Sequence, residues 1–191
     1  PSINCYGVDA VNLFSERPFI SSMVELCQYY ADEILKVIPG KTAYIAGWSV
    51  GGVYSLMTGY FLAKAGIDVK HSFLLNAYVI DDVTLKELGY FTSLEQLKQE
   101  LPVRQAHFLS HLPKEDLDRR IASLKNDYEM IGNYWHVPYE GRCTLIKATD
   151  PGNMPPEFFE REKNGWEIII KDLDVIKVDG HHYELVQGES A

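Results

Sequence analysis

The chain has 191 residues, 46% of them hydrophobic and 24% charged, and a formal net charge of −9. This is the composition of one folded domain long enough to bury a sizeable core, and its acidic balance excludes a surface built to neutralise nucleic-acid phosphates or anionic lipid, which needs clustered Lys and Arg. No run approaches the ~20 apolar residues that span a bilayer and no basic-then-apolar leader opens the chain, so the expected compartment is the cytoplasm.

In chain order, Pro1 leads straight into "SINCYGVD", a strand-like run, and the chain is expected to lack strands that would precede it. Ile20, Met23, Val24, Cys27, Ala31, Ile34 and Leu35 then recur at helical spacing. Ser22 and Glu25 form a capping-box pattern at the start of that helix, and Pro39-Gly40 stops it. "TAYIAGW" reads as a short buried strand, "GGVYSLMTGYFLAKAG" as a helix closed by Gly66, and "HSFLLNAYV" as another apolar strand.

Strands alternating with helices predict an α/β fold, a mostly parallel sheet with helices on both faces, in which ligands gather at the carboxyl ends of the strands. About 82–138 the pattern turns helical, with a second capping box at Ser93 and Gln96 and a long charged-apolar helix in "KEDLDRRIASLKNDYEMIGNYW". An insertion of that kind is either a lid over the site or an extra helical layer. "RCTLIKATD" resumes the sheet, "PPEFFEREK" is a short helix and "LDVIKV" is the last strand.

The stretch with chemistry in it is "YIAGWSVGG". A nucleophile elbow needs a strand ending in a sharp turn, a serine in a strained backbone conformation, and a helix leaving at once, with small neighbours so that strand and helix can approach. Gly47, Gly51 and Gly52 flank Ser49 in that pattern, and the N–H of Val50 is placed to act as an oxyanion donor at the helix start.

A serine hydroxyl also needs a base. Of the six histidines, His71, His107, His111 and His136 read as surface or packing residues. The adjacent His181 and His182 lie on a glycine-bearing loop after the last strand, where a serine-first chain order puts its base. Cys5, Cys27 and Cys143 read as buried free thiols, and no His or Cys cluster has metal-ligand spacing.

"YIAGWSVGG", "FLLNAYV", the helical insertion and "NGWEIIIKDLDVIKVDGHHYELV" together resemble the thioesterase domains that end nonribosomal peptide synthetases and polyketide synthases, an α/β-hydrolase family. The resemblance runs from Pro1 to the end and implies a single α/β-hydrolase-like domain, 1–191, with the insertion as its lid. It implies Ser49 as nucleophile and His182 as base, with His181 as the fallback. The orienting acid is where the sequence departs, because the aspartate of the family is matched by Asn76. Asp150, ending the next sheet strand, is the expected replacement carboxylate, with Asp81 and Asp82 as weaker candidates. The family's second oxyanion donor, from a loop before this region, has no counterpart in the chain.

By that resemblance the substrate is an acyl or peptidyl thioester presented on the phosphopantetheine of a carrier domain in the same polypeptide, released by hydrolysis or cyclisation, with no bound cofactor and no metal. Tyr78, Tyr90, Phe91, Phe108, Tyr134 and Trp135 are candidates for an apolar channel or for the core of the insertion. The competing readings are a carboxylesterase-type serine hydrolase and a catalytically degenerate interaction module.

Overall fold

The computed structural model describes residues 4–14, 17–79, 113–132, 139–152 and 156–186. They divide into two compact units, one drawn from 1–26 and 80–134, the other from 27–79 and 135–191.

The second unit holds the sheet. Strands β1 (Thr42–Trp48), β2 (Asp68–Leu75), β3 (Cys143–Ala148) and β4 (Leu173–Val178) lie side by side in that order, every neighbouring pair parallel. The register aligns their carboxyl ends: Trp48 is opposite Leu75, Leu75 opposite Ile146, and Ala148 opposite Val178. Residues that follow these positions in sequence therefore emerge along one edge of the sheet, even though they are far apart in the chain.

Of the helices, α1 (Val11–Phe14) precedes α2 (Met23–Val37), and α3 (Val50–Lys64) connects β1 to β2. Helix α2 is amphipathic: Met23, Leu26, Cys27, Tyr30 and Ala31 are buried at the spacing of one helix face. Its first turn is capped as the capping-box pattern predicts, the N–H of Glu25 donating to Ser22 Oγ at 3.4 Å. By contrast α3 is packed on most sides, with Val53, Leu56, Met57 and Leu62 all buried, because it is the crossover between two strands and lies directly on them. It ends where Gly66, at φ 88°, takes the left-handed conformation that glycine adopts without cost. Ala31, Leu62 and Ile67 form a core cluster with Ile34, Ala43, Ile45 and Val69, which ties α2 and α3 to the first two strands.

Beyond β3 comes the short helix α5 (Pro156–Phe159). Lys147 is only 4% exposed, and its ammonium donates to the carbonyls of Phe159 (2.7 Å) and Arg161 (2.5 Å), so the segment after α5 is pinned to β3.

The first unit is built on α4 (Lys114–Gly132), the long helix predicted within the insertion, with Ile121, Met130 and Ile131 buried. Asn126 donates to the carbonyl of Ile20 and accepts from Ser21 Oγ, and Arg119 donates to the carbonyl of Leu13. Side-chain hydrogen bonds thus hold the N-terminal segment on the helix.

Three expectations differ from the structure. "TAYIAGW" forms β1 but is not buried, since β1 lies at an edge of the sheet among the described residues and Tyr44 is exposed. The described part of "SINCYGVD" forms no strand: residues 4–10 are exposed and without ladder partners among the described residues, and an extended pattern makes a strand only where a neighbouring strand accepts it. Cys5 is exposed, unlike the buried Cys27 and Cys143. The lid assignment for 82–138 falls mostly outside the described residues, as do Asp81, Asp82, His107, His111, His136, the capping box at Ser93 and every channel aromatic except Tyr78.

Candidate active site

The elbow begins with the register. The N–H of Ser49 donates to the carbonyl of Leu75 at 3.0 Å, so the chain leaves β1 still bonded to β2, and the N–H of Gly52 already turns back to the carbonyl of Ser49 at 3.0 Å. One residue must make the turn. Ser49 does so at φ 55°, ψ −127°, a conformation that costs a non-glycine residue of order 1–3 kcal/mol and persists only when its surroundings enforce it.

What enforces it is the closeness of strand and helix. A Cβ on Gly47 would lie 2.1 Å from the carbonyl oxygen of Gly51, and one on Gly52 would lie 2.4 Å from Cβ of Ala77. Val50 is the first residue of α3, so its N–H has no intrahelical acceptor and is available at the positive end of the helix. Ser49 Oγ caps nothing in the helix and makes no hydrogen bond among the described residues.

The histidine loop follows β4. The N–H of Thr149 bonds to the carbonyl of Val178, and that of Asp150 to the carbonyl of Gly180, so the ladder between β3 and β4 runs on into the loop. Gly180, at φ 118°, then turns the chain. His182 arrives against Trp48, the residue before Ser49: the two rings stack with centroids 4.7 Å apart and planes 26° apart, and the indole N–H donates to the carbonyl of His182 at 3.0 Å. Trp48 therefore positions His182 both by its ring and through its backbone, beside the elbow.

Asn76 follows β2 at the same edge. Its N–H donates to the carbonyl of Ile146 at 2.7 Å, and the residue sits at φ 44°, aided by the tolerance of asparagine for the left-handed region. The residue is 3% exposed and its side chain is fully used: Nδ2 is 2.9 Å from Nδ1 of His182, Oδ1 accepts from the N–H of Ala148 at 3.2 Å, and the Tyr78 phenol is a further hydrogen-bond partner.

The next carbonyl, that of Ala77, receives Asn164 Nδ2 at 3.0 Å and Trp166 Nε1 at 2.9 Å. The "NGW" segment thus acts as a double clamp on the backbone just past Asn76. Tyr78 is buried nearby, and burial pushes its phenol above the usual range.

Asp150, the expected carboxylate, is not brought to the imidazole. It is exposed, and Oδ1 accepts the N–H of Gly152 at 2.8 Å, closing a local turn instead. The reason is one of reach: the ladder carries β3 out to Asp150 alongside Gly180, while the imidazole folds back over Trp48 towards β2. His181 is not at the site either. Its N–H and ring both face Glu184, at 2.9 Å and 3.5 Å, on the solvent side of the loop. His71 bonds Thr144 across β2 and β3, as a packing residue does.

His182 is held well below the usual imidazole range, at about 4, first by burial and then by its neighbour His181. Its ring is neutral at pH 7. Among the described residues no carboxylate faces this half-buried ring to stabilise its cationic form. Cys27 and Cys143 are pushed up to about 12 by burial and are inert as nucleophiles. Among the described residues no group of His, Cys, Asp and Glu is placed to hold a metal ion.

Sequence reasoning missed three participants: Trp48 as the seat of His182, the backbone N–H of Ala148, and the Ala77 clamp. Only Trp48 left a signal, an aromatic residue directly before the serine.

The arrangement can be compared with known proteins. The family described as Thioesterase domain matches residues 4–191. Among solved structures, the chain is similar to the NocB thioesterase domain in covalent complex with a fluorophosphonate nocardicin G analog, at 20% identity and a TM-score of 0.68 over 95% of this chain and 74% of that one. It is also similar to the surfactin thioesterase domain SrfTE, at 17% identity and a TM-score of 0.66 over 90% and 71%. A further match is to a four-domain nonribosomal peptide synthetase bound to AMP and glycine, at 16% identity and a TM-score of 0.69, covering 91% of this chain and 15% of that one.

Proposed function

The chain belongs to the thioesterase-domain family, and on that premise we propose that it releases an acyl or peptidyl chain from a phosphopantetheine thioester through a serine ester on Ser49. In this reading Ser49 Oγ attacks the thioester carbonyl carbon and its proton passes to His182. The tetrahedral oxyanion is steadied by the N–H of Val50, and collapse expels the pantetheine thiolate, which takes the proton back from His182. Water, or a hydroxyl or amine within the carried chain, then attacks the serine ester and gives the free acid, a lactone or a lactam. The pantetheine arm belongs to the substrate, so the reading requires no resident cofactor.

The observation that supports it best is Ser49 at φ 55°, ψ −127° between β1 and α3, with the ring of His182 stacked on the preceding residue. Strain of that kind at an ordinary turn would be removed by a glycine; at an elbow it serves to expose the hydroxyl. The partner this implies is a carrier domain. The match to one domain of a four-domain synthetase supports carriage in the same polypeptide, where tethering supplies an effective concentration that an acidic surface does not.

Asn76 on His182 favours a second reading, a domain of the same fold with weakened or lost chemistry. Turnover of an acyl-pantetheine thioester, compared with the matched oxygen ester, decides between these. A thioester preference abolished by Ser49→Ala supports release from a carrier, a preference for the oxygen ester points to a carboxylesterase, and no turnover of either favours the degenerate module.

A further inference from the structure

The amide of Asn76 has one orientation open to it. The N–H of Ala148 can only donate, so the side-chain atom facing it at 3.2 Å must be the acceptor Oδ1. That leaves Nδ2, a donor, turned toward His182, and 2.9 Å away it meets Nδ1. An imidazole nitrogen that accepts a hydrogen bond carries no proton, so in a neutral ring the proton resides on Nε2. With Nδ1 occupied by Asn76, Nε2 is the ring nitrogen left for Ser49. A base needs its lone pair there, and this ring has its N–H.

We propose that Asn76 is a positioning residue that holds His182 in the Nε2–H tautomer, the reverse of the one a serine nucleophile requires, so that the domain is throttled at the acid position and a carboxylate there releases it. The inference rests on the acyl-transfer reading given above for its consequence, though not for its geometry.

Four further observations support it. Among the described residues the groups that face the ring are Trp48, Asn76 and Tyr183, with His181 acting on it only through its charge, and none of them is a carboxylate that could compete for Nδ1. The ring is neutral at pH 7, which is the condition under which a tautomer exists to be chosen. Turning the amide over would set Nδ2 against the N–H of Ala148, donor against donor, in a side chain only 3% exposed. The clamp on the carbonyl of Ala77 keeps the backbone at this point from shifting to relieve that conflict.

An aspartate at 76 reverses the logic without moving a strand. One carboxylate oxygen still accepts the N–H of Ala148, and the other accepts a proton-bearing Nδ1, which leaves the Nε2 lone pair toward Ser49.

The test has two arms on the full chain. Histidine-labelled protein examined by ¹⁵N NMR, with His182→Gln to assign the signal, reads the tautomer directly in the wild type and needs no folded variant at Asn76. The expected result is a protonated Nε2 and an unprotonated Nδ1, exchanged in Asn76→Asp. The second arm is the rate of Ser49 labelling by a fluorophosphonate, which Asn76→Asp is expected to raise about 10³-fold or more, approaching the roughly 10⁴-fold that separates aspartate from asparagine in a serine-protease triad. A wild-type ring protonated on Nδ1 would overturn the inference, and so would Asn76→Asp labelling no faster than wild type while Ser49→Ala abolishes the label. Absence of label from wild type and Asn76→Asp alike would instead refute the acyl-transfer reading, and the NMR tautomer would still decide this one.

Discussion

The elbow glycines make a graded experiment, because three of them lie within a few residues and the structure assigns each a different cost. In Gly47→Ala the new methyl would lie 2.1 Å from the oxygen of Gly51, 2.4 Å from its carbonyl carbon and 2.7 Å from the nitrogen of Gly52. All three atoms are backbone, so no side chain can turn aside, and α3 has to lift away from β1. Forcing one extra carbon into a packed site costs about 1–3 kcal/mol even where side chains can adjust, so about 3 kcal/mol or more is expected here, a fall in Tm of about 6 to 12 °C for a chain of this size.

Gly52→Ala puts its methyl 2.4 Å from Cβ of Ala77, a single contact between strand-end and helix that a small shift relieves, and about 1–3 kcal/mol is expected. Gly51→Ala meets nothing within 4 Å and φ there is not in the left-handed region, so the gain in helix propensity prevails and the variant is expected to be up to about 1 kcal/mol more stable. Thermal and urea unfolding followed by circular dichroism gives all three values. The close-approach argument is refuted if Gly51→Ala destabilises as much as Gly47→Ala, or if Gly47→Ala melts with the wild type.

Two further outcomes follow from the titrating groups. Folding lowers His182 from 6.5 to about 4, so its contribution to stability is present above pH 6.5 and is lost as pH falls through 4; at about 1.4 kcal/mol per pH unit this amounts to about 3 kcal/mol. The stability difference between wild type and His182→Gln, from urea titrations at pH 7 and pH 4, is expected to shrink by that amount, and a pH-independent difference would contradict it. Of the three thiols only Cys5 is exposed, so one equivalent of a thiol reagent is expected to react in the native state and three after unfolding, and rapid native reaction of Cys27 or Cys143 would contradict their burial.

The sheet was legible wherever local pattern and tertiary environment agree. "LDVIKV" and "TAYIAGW" coincide with β4 and β1, since short apolar runs bounded by turn residues leave little choice of register. "SINCYGVD" misled because local pattern cannot supply the neighbour that a strand requires. In the site, Ser49 and the histidine loop were legible as chain positions, because the ends of parallel strands are where side chains collect.

The acid position was legible only through the match of Asn76 to the family's aspartate; that Asp150 does not reach the ring was not legible, and the reason is geometric. Asn76 and Asp150 both follow strands and both look able to reach the same ring, but only the inter-strand register and the fold-back of His182 over Trp48 separate them. Neither relation is written in the order of residues. The bond from Ala148 to Asn76 is invisible for the same reason, since a backbone N–H carries no sequence signal at all.

The central claim is that Ser49 is a nucleophile served by His182, and the most direct measurement is the mass-mapped site of a fluorophosphonate adduct on wild type, Asn76→Asp, Ser49→Ala and His182→Ala. The account predicts a single adduct on Ser49, formed faster in Asn76→Asp, slower in His182→Ala and absent from Ser49→Ala. An adduct that survives Ser49→Ala, or no adduct in either wild type or Asn76→Asp, would contradict it.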